Sequence, residues 1–458
     1  MDFEPVIGLE IHIQLKTQRK MFCGCKSPVA LAKGDDLQPN AHVCPVCLGL
    51  PGALPVLNGK AVELAMRVGL ALGGRVNKET YFERKNYFYP DLPKGYQISQ
   101  YRAPLCEGGE LDGIGITRAH LEEDTAKSIH TADGTLLDFN KSGIPLLEIV
   151  SEPEIHSVEH ARAYCKAIQE LVRRLGISDA EMEKGQMRLE ANISLRELLS
   201  TRRVNKAQPS PGNVNSTRRV DELCNHRDYG DLPPYRVEIK NINSFRFLEG
   251  ALRYEIKRQT TALEKGEKLE QETRGYDVKS KKTFVQRTKE EAHDYRYFPE
   301  PDIPPLEISE AEVSRVRGSL PKLRNELIDQ LVGTYKLSKK DAEVLIDDEK
   351  RMSFFKTLVA EGMESSQAAN LVVNQPEVLL KKPRELIEQF KKEKSEEIFN
   401  EDILQEAVKS VISANPQPVA DFRAGKAAAL QFLLGQVMRQ TRGKANPQIV
   451  EKLLKETL

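Results

Sequence analysis

Glu10 and His12 stand two residues apart in the segment VIGLEIHIQL. On one face of an extended chain, a carboxylate and an imidazole at that spacing have Cβ atoms roughly 6–7 Å apart, so both can reach one divalent cation. The plainer reading of these two residues alone is a solvated sheet face. The pattern recurs, however. Met187–Arg196 reads MRLEANISLR, with Arg188, Glu190, Asn192, Ser194 and Arg196 on its polar side. Tyr235–Asn243 reads YRVEIKNIN, with Arg236, Glu238 and Lys240 outward. Glutamates interleaved with Arg, Lys or His suit a metal-bound polyphosphate, with carboxylates on Mg2+ and cations on phosphate oxygens. No G-x-x-x-x-G-K-S/T or G-x-G-x-x-G run occurs, so a nucleotide is expected on a sheet face rather than at a Gly-rich turn.

A second constellation is Cys23-Gly24-Cys25 with Cys44-Pro45-Val46-Cys47, the two pairs being 18 residues apart. This spacing predicts a tetrahedral four-cysteine zinc site, structural because four thiolates leave no open position. Four separate reduced thiols are the alternative, and His42 is a weaker candidate ligand. A third group is His120, Glu122, Glu123 and Asp124. Adjacent carboxylates repel unless a cation or basic group neutralises them, so this run reads either as metal-binding or as a solvated hairpin edge. Near the C-terminus, Arg439, Arg442 and Lys444 cluster at a helix break in TRGKANP. The patch could hold a phosphate or simply be a charged helix end.

These residues need elements to hold them. In VIGLEIHIQL, Ile7, Leu9, Ile11, Ile13 and Leu15 alternate with the polar positions, which predicts a half-buried strand over Val6–Leu15. Asn58 is positioned to cap a helix running to Gly73-Gly74. RKNYFYPDLPKGYQISQY, residues 84–101, reads as an ordered loop between strands. Ile114–Asn140 reads as a hairpin turning at Asp133-Gly134, and Ile144–Pro153 as a strand with Glu148 and Glu152 on one face. Val158–Gly176 has the helical apolar period. Leu199–Pro234 reads as a long polar surface insertion whose Arg202-Arg203 and Arg218-Arg219 could touch RNA. Glu300–Pro305, EPDIPP, reads as a linker into a helical region. There Asp421–Arg439 is helical in pattern, and Asn446-Pro447 start a final helix.

Composition sets the bounds. A chain of 458 residues is long enough for two or three domains. Its 68 basic and 68 acidic residues cancel, so any RNA contact must be local. No apolar run approaches the roughly eighteen residues that span a membrane. The acidic start MDFEPVIGLE is neither a signal nor a transit peptide. Seven cysteines with clustered spacing argue against a disulfide framework, so a cytoplasmic protein is expected. Cys106, Cys165 and Cys224 are isolated and read as structural or incidental.

Taken together, IGLEIHIQL, PGALPVLN, RKNYFYPDLPKGYQISQY, HLEEDTAKS, PLLEIVSEP, ANIS, EIKNINSF, QETRGYD, DYRYFPEPD and GQVMRQTRGKANP resemble, in order and over nearly the whole chain, the B subunits (GatB) of the glutamyl/aspartyl-tRNA amidotransferases. The resemblance implies an α+β fold in three parts: a cradle-shaped catalytic domain with an antiparallel, glutamine-synthetase-like sheet over residues 1–295, an all-α helical domain over 296–404 and a small YqeY-like, tRNA-binding tail over 405–458. It implies a ligase that uses ATP and Mg2+ to phosphorylate the side-chain carboxylate of Glu-tRNA(Gln), and of Asp-tRNA(Asn) as well, before amidation. Glutamine is the nitrogen donor. Ammonia comes from an amidase subunit (GatA), and a small third subunit (GatC) completes a heterotrimer. Carried onto this sequence, the Mg2+ ligands and catalytic residues are Glu10, His12, Glu123 (with Glu122 as its neighbouring alternative) and Glu148. Arg188, Glu190, Asn192 and Lys240 would bind the nucleotide, with Asn241 and Asn243 as further polar positioners. Cys23, Cys25, Cys44 and Cys47 match the zinc-bearing branch, and Arg439, Arg442 and Lys444 would meet tRNA. The Leu199–Pro234 segment is longer than the family pattern. Two other readings remain: a zinc-stabilised, non-catalytic tRNA-binding scaffold, and a glutamine-synthetase-like enzyme acting on a small free carboxylate.

Overall fold

A computed structural model of the chain describes residues 2–30, 38–198, 232–288, 295–395, 401–423, 426–441 and 445–458. The insertion residues 199–231, with Arg202, Arg203, Arg218 and Arg219, lie outside the described residues, as do Arg442 and Lys444. The chain forms two compact units, Met1–Leu323 and Arg324–Leu458.

The first unit is built on a ten-stranded sheet. Its strands in chain order are β1 (Asp2–Gln14), β2 (Arg75–Val76), β3 (Cys106–Glu107), β4 (Glu110–Leu111), β5 (Ile114–Glu123), β6 (Pro145–Ser151), β7 (Met187–Leu198), β8 (Val237–Ile242), β9 (Glu272–Asp277) and β10 (Lys282–Thr288). Across the sheet they run β10-β9-β8-β7-β1-β6-β5-β3-β2, with β4 beside β5. All pairings are antiparallel except β8 with β9. Period-two alternation sends Ile7, Leu9, Ile11 and Ile13 of β1 to one face, where each is at most 1 % exposed. Met187, Leu189, Ala191 and Ile193 of β7 and Val237 and Ile239 of β8 join them. Helices α1 (Gly59–Ala71), α2 (Val158–Arg174) and α3 (Phe245–Glu264) contribute the other side of this core. Each fully buried aliphatic side chain contributes about 1.5–3 kcal/mol, so this layer fixes which face of the sheet is left for chemistry.

Caps and a close approach hold the helices in register. Asn58 accepts from the Lys60 N–H at the start of α1, and its amide donates to the Arg19 and Lys20 carbonyls, tying α1 to the segment just before the first cysteine pair. Ser157 caps α2 through the His160 N–H. Gly69 of α1 lies against β3, where a Cβ would fall 2.3 Å from Cys106 Sγ.

Three expectations change in this unit. Ile114–Asn140 is not one hairpin: β5 joins the main sheet, while Lys127–Thr131 and Gly134–Asp138 form a separate two-stranded hairpin. Residues 84–101 are not one loop, because Glu83–Asn86 and Tyr96–Ser99 pair as strands, joined by Phe298–Pro299. Glu300–Pro305 is not a linker. Glu300 is 3 % exposed and takes two 2.8 Å bonds from Arg84, whose guanidinium lies 4.3 Å from the Tyr96 ring centroid. Leu306–Glu307 then pairs with Glu79–Thr80. Proline and charge density mimic a linker in sequence, but a buried bidentate ion pair anchors the segment.

The second unit is helical over its described residues. One apolar cluster gathers Leu345, Phe355, Leu358 and Val372, and another Leu404, Val408, Leu433, Val437, Val450 and Leu454. The expected Asp421–Arg439 helix is two helices, Pro416–Arg423 and Ala427–Gln440. Asn446 caps Pro447–Thr457. Arg439 lies exposed in the last turn before that cap. No helix among the described residues is long and apolar enough to cross a membrane.

Candidate active site

Strand register assembles the polar face. Antiparallel pairing sets His12 of β1 opposite Glu148 of β6 on one side and Arg188 of β7 on the other, and sets Glu148 opposite His120 of β5. The next row pairs Glu10 with Glu190. Directly opposite residues share a face, so four strands deliver their acidic and basic side chains to one place.

His12 Nε2 lies 3.2 Å from Glu148 Oε2 and 3.6 Å from Glu122 Oε1, and donor atoms of these three residues fall within 4.8 Å of one another. Glu122, not Glu123, completes the group. Successive strand residues point to opposite faces, and the Glu123 carboxylate is turned to Lys94 Nζ at 2.5 Å and the Ile98 N–H at 3.0 Å. Glu123 and Lys94 line a separate cavity of about 260 Å3, with Lys20, Cys23 and Asp302. A second group, Glu10, Glu190 and Glu238, lies on the same sheet. Lys240 Nζ already bridges Glu190 and Glu238 at 3.0 and 3.1 Å, so this group is the weaker cation holder.

The electrostatics separate the roles. Burial alone would push the His12 imidazole down, but Glu148 and Glu122 outweigh it and hold it up at about 9. Burial and the Glu148 charge raise Glu122 to about 7. Burial would raise Glu148 as well, yet the two histidines beside it hold it well below the carboxylate range. Burial and the carboxylates of Glu148 and Glu190 push Glu10 up, against the 2.9 Å bond it accepts from Asn192. Burial lowers His120 to about 4. Its Nε2 lies 3.4 Å from Glu148, and its Nδ1 is buried with no partner. Two carboxylates and one imidazole with donor atoms this close are a ligand set that a divalent cation could take in place of the imidazole proton.

The remaining expected residues are nearby with other immediate partners. Arg188 donates to Asp124 at 2.8 Å, and Asp124 also takes Lys141 at 3.1 Å and the Gln14 amide at 2.7 Å. Asn241, in the left-handed region at φ +60°, and Asn243 are exposed. Residues that sequence reasoning left without a role also stand here. Lys85 lies 4.9 Å from the Tyr295 ring centroid, and Tyr297, Glu122 and Glu148 keep its ammonium above the usual lysine range against burial. Its strand is four residues long, too short for a periodic signal. For Glu122 the signal was available, because His120 and Glu122 share a parity that Glu123 does not.

The four cysteines converge. Their sulfurs lie within 4.8 Å of one another, and Cys47 Sγ is 3.9 Å from Cys44 Sγ. Tetrahedral zinc with bonds of about 2.3 Å needs sulfur–sulfur separations of about 3.8 Å, so the set fits. Lys20, fully buried, places its ammonium 3.6 Å from Cys47 Sγ. A hydrogen bond from Cys23 and the Lys20 charge pull the Cys47 thiol down to about 4. His42 is not among the clustered ligands.

Fold and site define an α+β protein with a charged, carboxylate-rich sheet face and a zinc-type cysteine knuckle, followed by a helical unit. The family model described as the GatB/GatE catalytic domain matches residues 5–314, and the one described as the GatB domain matches 311–458. A relative from Persephonella marina is 41% identical over all of both chains, one from Roseiflexus castenholzii is 41% identical over all of this chain and 99% of its own, and one from Thermodesulfovibrio yellowstonii is 40% identical over 99% of each. All three are named as the B subunits of aspartyl/glutamyl-tRNA(Asn/Gln) amidotransferases. The chain belongs to this family of amidotransferase B subunits.

Proposed function

We propose that this chain is the kinase and transamidase subunit of a tRNA-dependent, glutamine-hydrolysing amidotransferase, and that its sheet face is the floor of a glutamine-synthetase-like cradle. The observation that carries the reading is the meeting of His12, Glu122 and Glu148, from three strands, with donor atoms within 4.8 Å. Those residues would hold Mg2+, with Glu10, Glu190 and Glu238 as the second acidic group. Mg2+ held there would supply charge neutralisation for the phosphate being transferred. The substrate is the side-chain carboxylate of glutamate on tRNA(Gln), and of aspartate on tRNA(Asn). A carboxylate oxygen attacks the γ-phosphorus of ATP and ADP leaves. Ammonia then attacks the acyl carbon, inorganic phosphate leaves and the amide forms. Cationic side chains on the same face, Lys85 among them, balance the phosphate charge. No covalent nucleophile is required of this chain.

Ammonia would come from an amidase partner, with a small third subunit completing the heterotrimer. Cys23, Cys25, Cys44 and Cys47 would hold a structural Zn2+. Residues 405–458 would bind tRNA, with Arg439, Arg442 and Lys444 as phosphate contacts. ATP hydrolysis by the assembled complex is the test. With Glu-tRNA(Gln) present and glutamine absent, hydrolysis should exceed that with uncharged tRNA, and Glu10→Gln should abolish amidation while tRNA still binds. Equal hydrolysis with charged and uncharged tRNA would overturn it in favour of a tRNA-binding scaffold, and near-parent amidation by Glu10→Gln would overturn the assignment of Glu10 to the metal site.

A further inference from the structure

Arg118 is a cation on this face that the charge pairing among the described residues leaves over. It lies on β5, opposite Val150 of β6 on one side and Glu107 of β3 on the other. The Glu107 carboxylate is taken by Arg75 at 2.8 Å. Among the described residues no carboxylate pairs with Arg118, and its Nε is buried with no hydrogen-bond partner. Arg188, Lys240 and Lys94 each have a carboxylate within 3.0 Å. A half-buried guanidinium with an unmet N–H is costly unless a ligand supplies the acceptor.

What surrounds Arg118 narrows that ligand. Its guanidinium carbon lies 5.6 Å from the centroid of the Tyr101 ring. Tyr101 is half exposed and stacks on Tyr297 with centroids 4.6 Å apart and planes 16° apart. Tyr297 in turn lies 6.4 Å, centroid to centroid, from Tyr295, whose ring the Lys85 ammonium approaches to 4.9 Å. An aromatic cluster therefore runs from half-exposed Tyr101 through Tyr297 to Tyr295, with the Arg118 guanidinium, which has no carboxylate partner among the described residues, over the Tyr101 ring. Flat rings take a nucleobase by stacking, and a guanidinium takes a phosphate through a bidentate fork.

We infer that Arg118, Tyr101 and Tyr297 form a seat for an adenosine 5′-phosphate unit, the base on the tyrosine stack and the phosphate on Arg118. The inference rests on the proposed function, whose two substrates both carry such a unit: ATP, and the 3′-terminal adenosine of the aminoacyl-tRNA. Arg118 acts in binding and not in bond-making, so its loss should appear in KM and leave kcat in place.

The test uses the chain assembled with its amidase and small subunits. Wild type, Arg118→Gln, Arg118→Lys, Tyr101→Ala and Tyr101→Phe are compared for KM of ATP, KM of Glu-tRNA(Gln) and kcat, with ammonium chloride as nitrogen donor. Binding of a non-hydrolysable ATP analogue is measured by equilibrium dialysis. Losing a charge-assisted phosphate contact should raise one KM about tenfold or more in Arg118→Gln, with partial recovery in Arg118→Lys. Tyr101→Ala should raise the same KM about fivefold or more, and Tyr101→Phe should leave it unchanged, because stacking needs the ring and not the hydroxyl. A rise for ATP with weaker analogue binding assigns the seat to the co-substrate. A rise for Glu-tRNA(Gln) with unchanged analogue binding assigns it to the tRNA terminus. If the wild-type complex is active and both KM values stay unchanged in Arg118→Gln and Tyr101→Ala, the inference is overturned and the proposed function stands. A wild-type complex that neither amidates with ATP nor binds the analogue overturns the proposed function, and this inference with it. Should Arg118→Gln fold poorly, Arg118→Lys and the Tyr101 pair still decide.

Discussion

At the scale of single residues, neighbouring glutamates have different work. Glu122 faces His12 and Glu148, whereas Glu123 neutralises Lys94. Glu122→Gln should therefore weaken Mn2+ binding, read by electron paramagnetic resonance without substrates, by at least about 10–100-fold. Glu123→Gln should leave Mn2+ affinity unchanged and lower stability by about 3–5 kcal/mol, because it strands a largely buried ammonium. Equal Mn2+ losses in the two variants would defeat the assignment. The imidazole at the centre makes a prediction about pH. His12 in the cation-free protein is raised to about 9, above the usual value near 6.5. A raised imidazole stabilises the fold fully below about pH 6.5, and that contribution fades as pH climbs through about 9. Denaturant unfolding of the cation-free chain should show this decline between those pH values, and His12→Asn should flatten it. A cation at His12 displaces the proton, so Mn2+ affinity should rise over the same interval. Affinity independent of pH from 6.5 to 9 would show that His12 is not a ligand.

At the scale of elements, the sheet was legible in sequence where alternation was long. In VIGLEIHIQL and MRLEANISLR the odd positions Ile7 to Ile13 and Met187 to Leu195 alternate without a break, and VEIK does so until the left-handed Asn241 shifts the register at Ile242; the parity also shows which side chains share a face. What alternation cannot show is register. That His12 meets Glu148 and Arg188, while Glu10 meets Glu190, depends on pairings between strands far apart in the chain. Short strands carry too few positions for a pattern, so Glu83–Asn86 with Lys85 read as loop, and the Glu300–Arg84 clamp hid inside a proline-rich stretch. Cys106, isolated in sequence, is a packing residue: it is 1 % exposed and lies against Gly69 of α1. Gly69→Ala gains about 1 kcal/mol in helix propensity but overpacks at a cost of about 1–3 kcal/mol, so the balance should be destabilising. Adding Cys106→Ala should recover part of the loss, since it removes the sulfur that the new methyl meets. A Gly69→Ala chain with an unchanged urea midpoint would mean that α1 shifts freely against β3.

At the scale of the whole molecule, the two units have separate cores. The cluster that runs from Ile7 to Val316 lies wholly within Met1–Leu323, and the clusters around Phe355 and Leu433 lie wholly within Arg324–Leu458. Each unit therefore has its own apolar interior, the usual condition for folding alone. A chain ending at Leu323 keeps every residue of the His12 group, the Glu10 group and the four-cysteine knuckle. It should fold cooperatively and bind Mn2+ as tightly as the full chain. It should also retain one zinc per chain, while the same chain with Cys44→Ser should lose that zinc and melt at lower temperature. What truncation should remove is affinity for tRNA, because a chain with zero net charge has no general attraction for a polyanion and depends on local contacts. A loss of about tenfold or more in tRNA affinity, about 1.4 kcal/mol or more, with Mn2+ binding intact would separate the two jobs along the chain. Unchanged tRNA affinity would place recognition in the first unit, and the aromatic stack beside Arg118 would be the next surface to test.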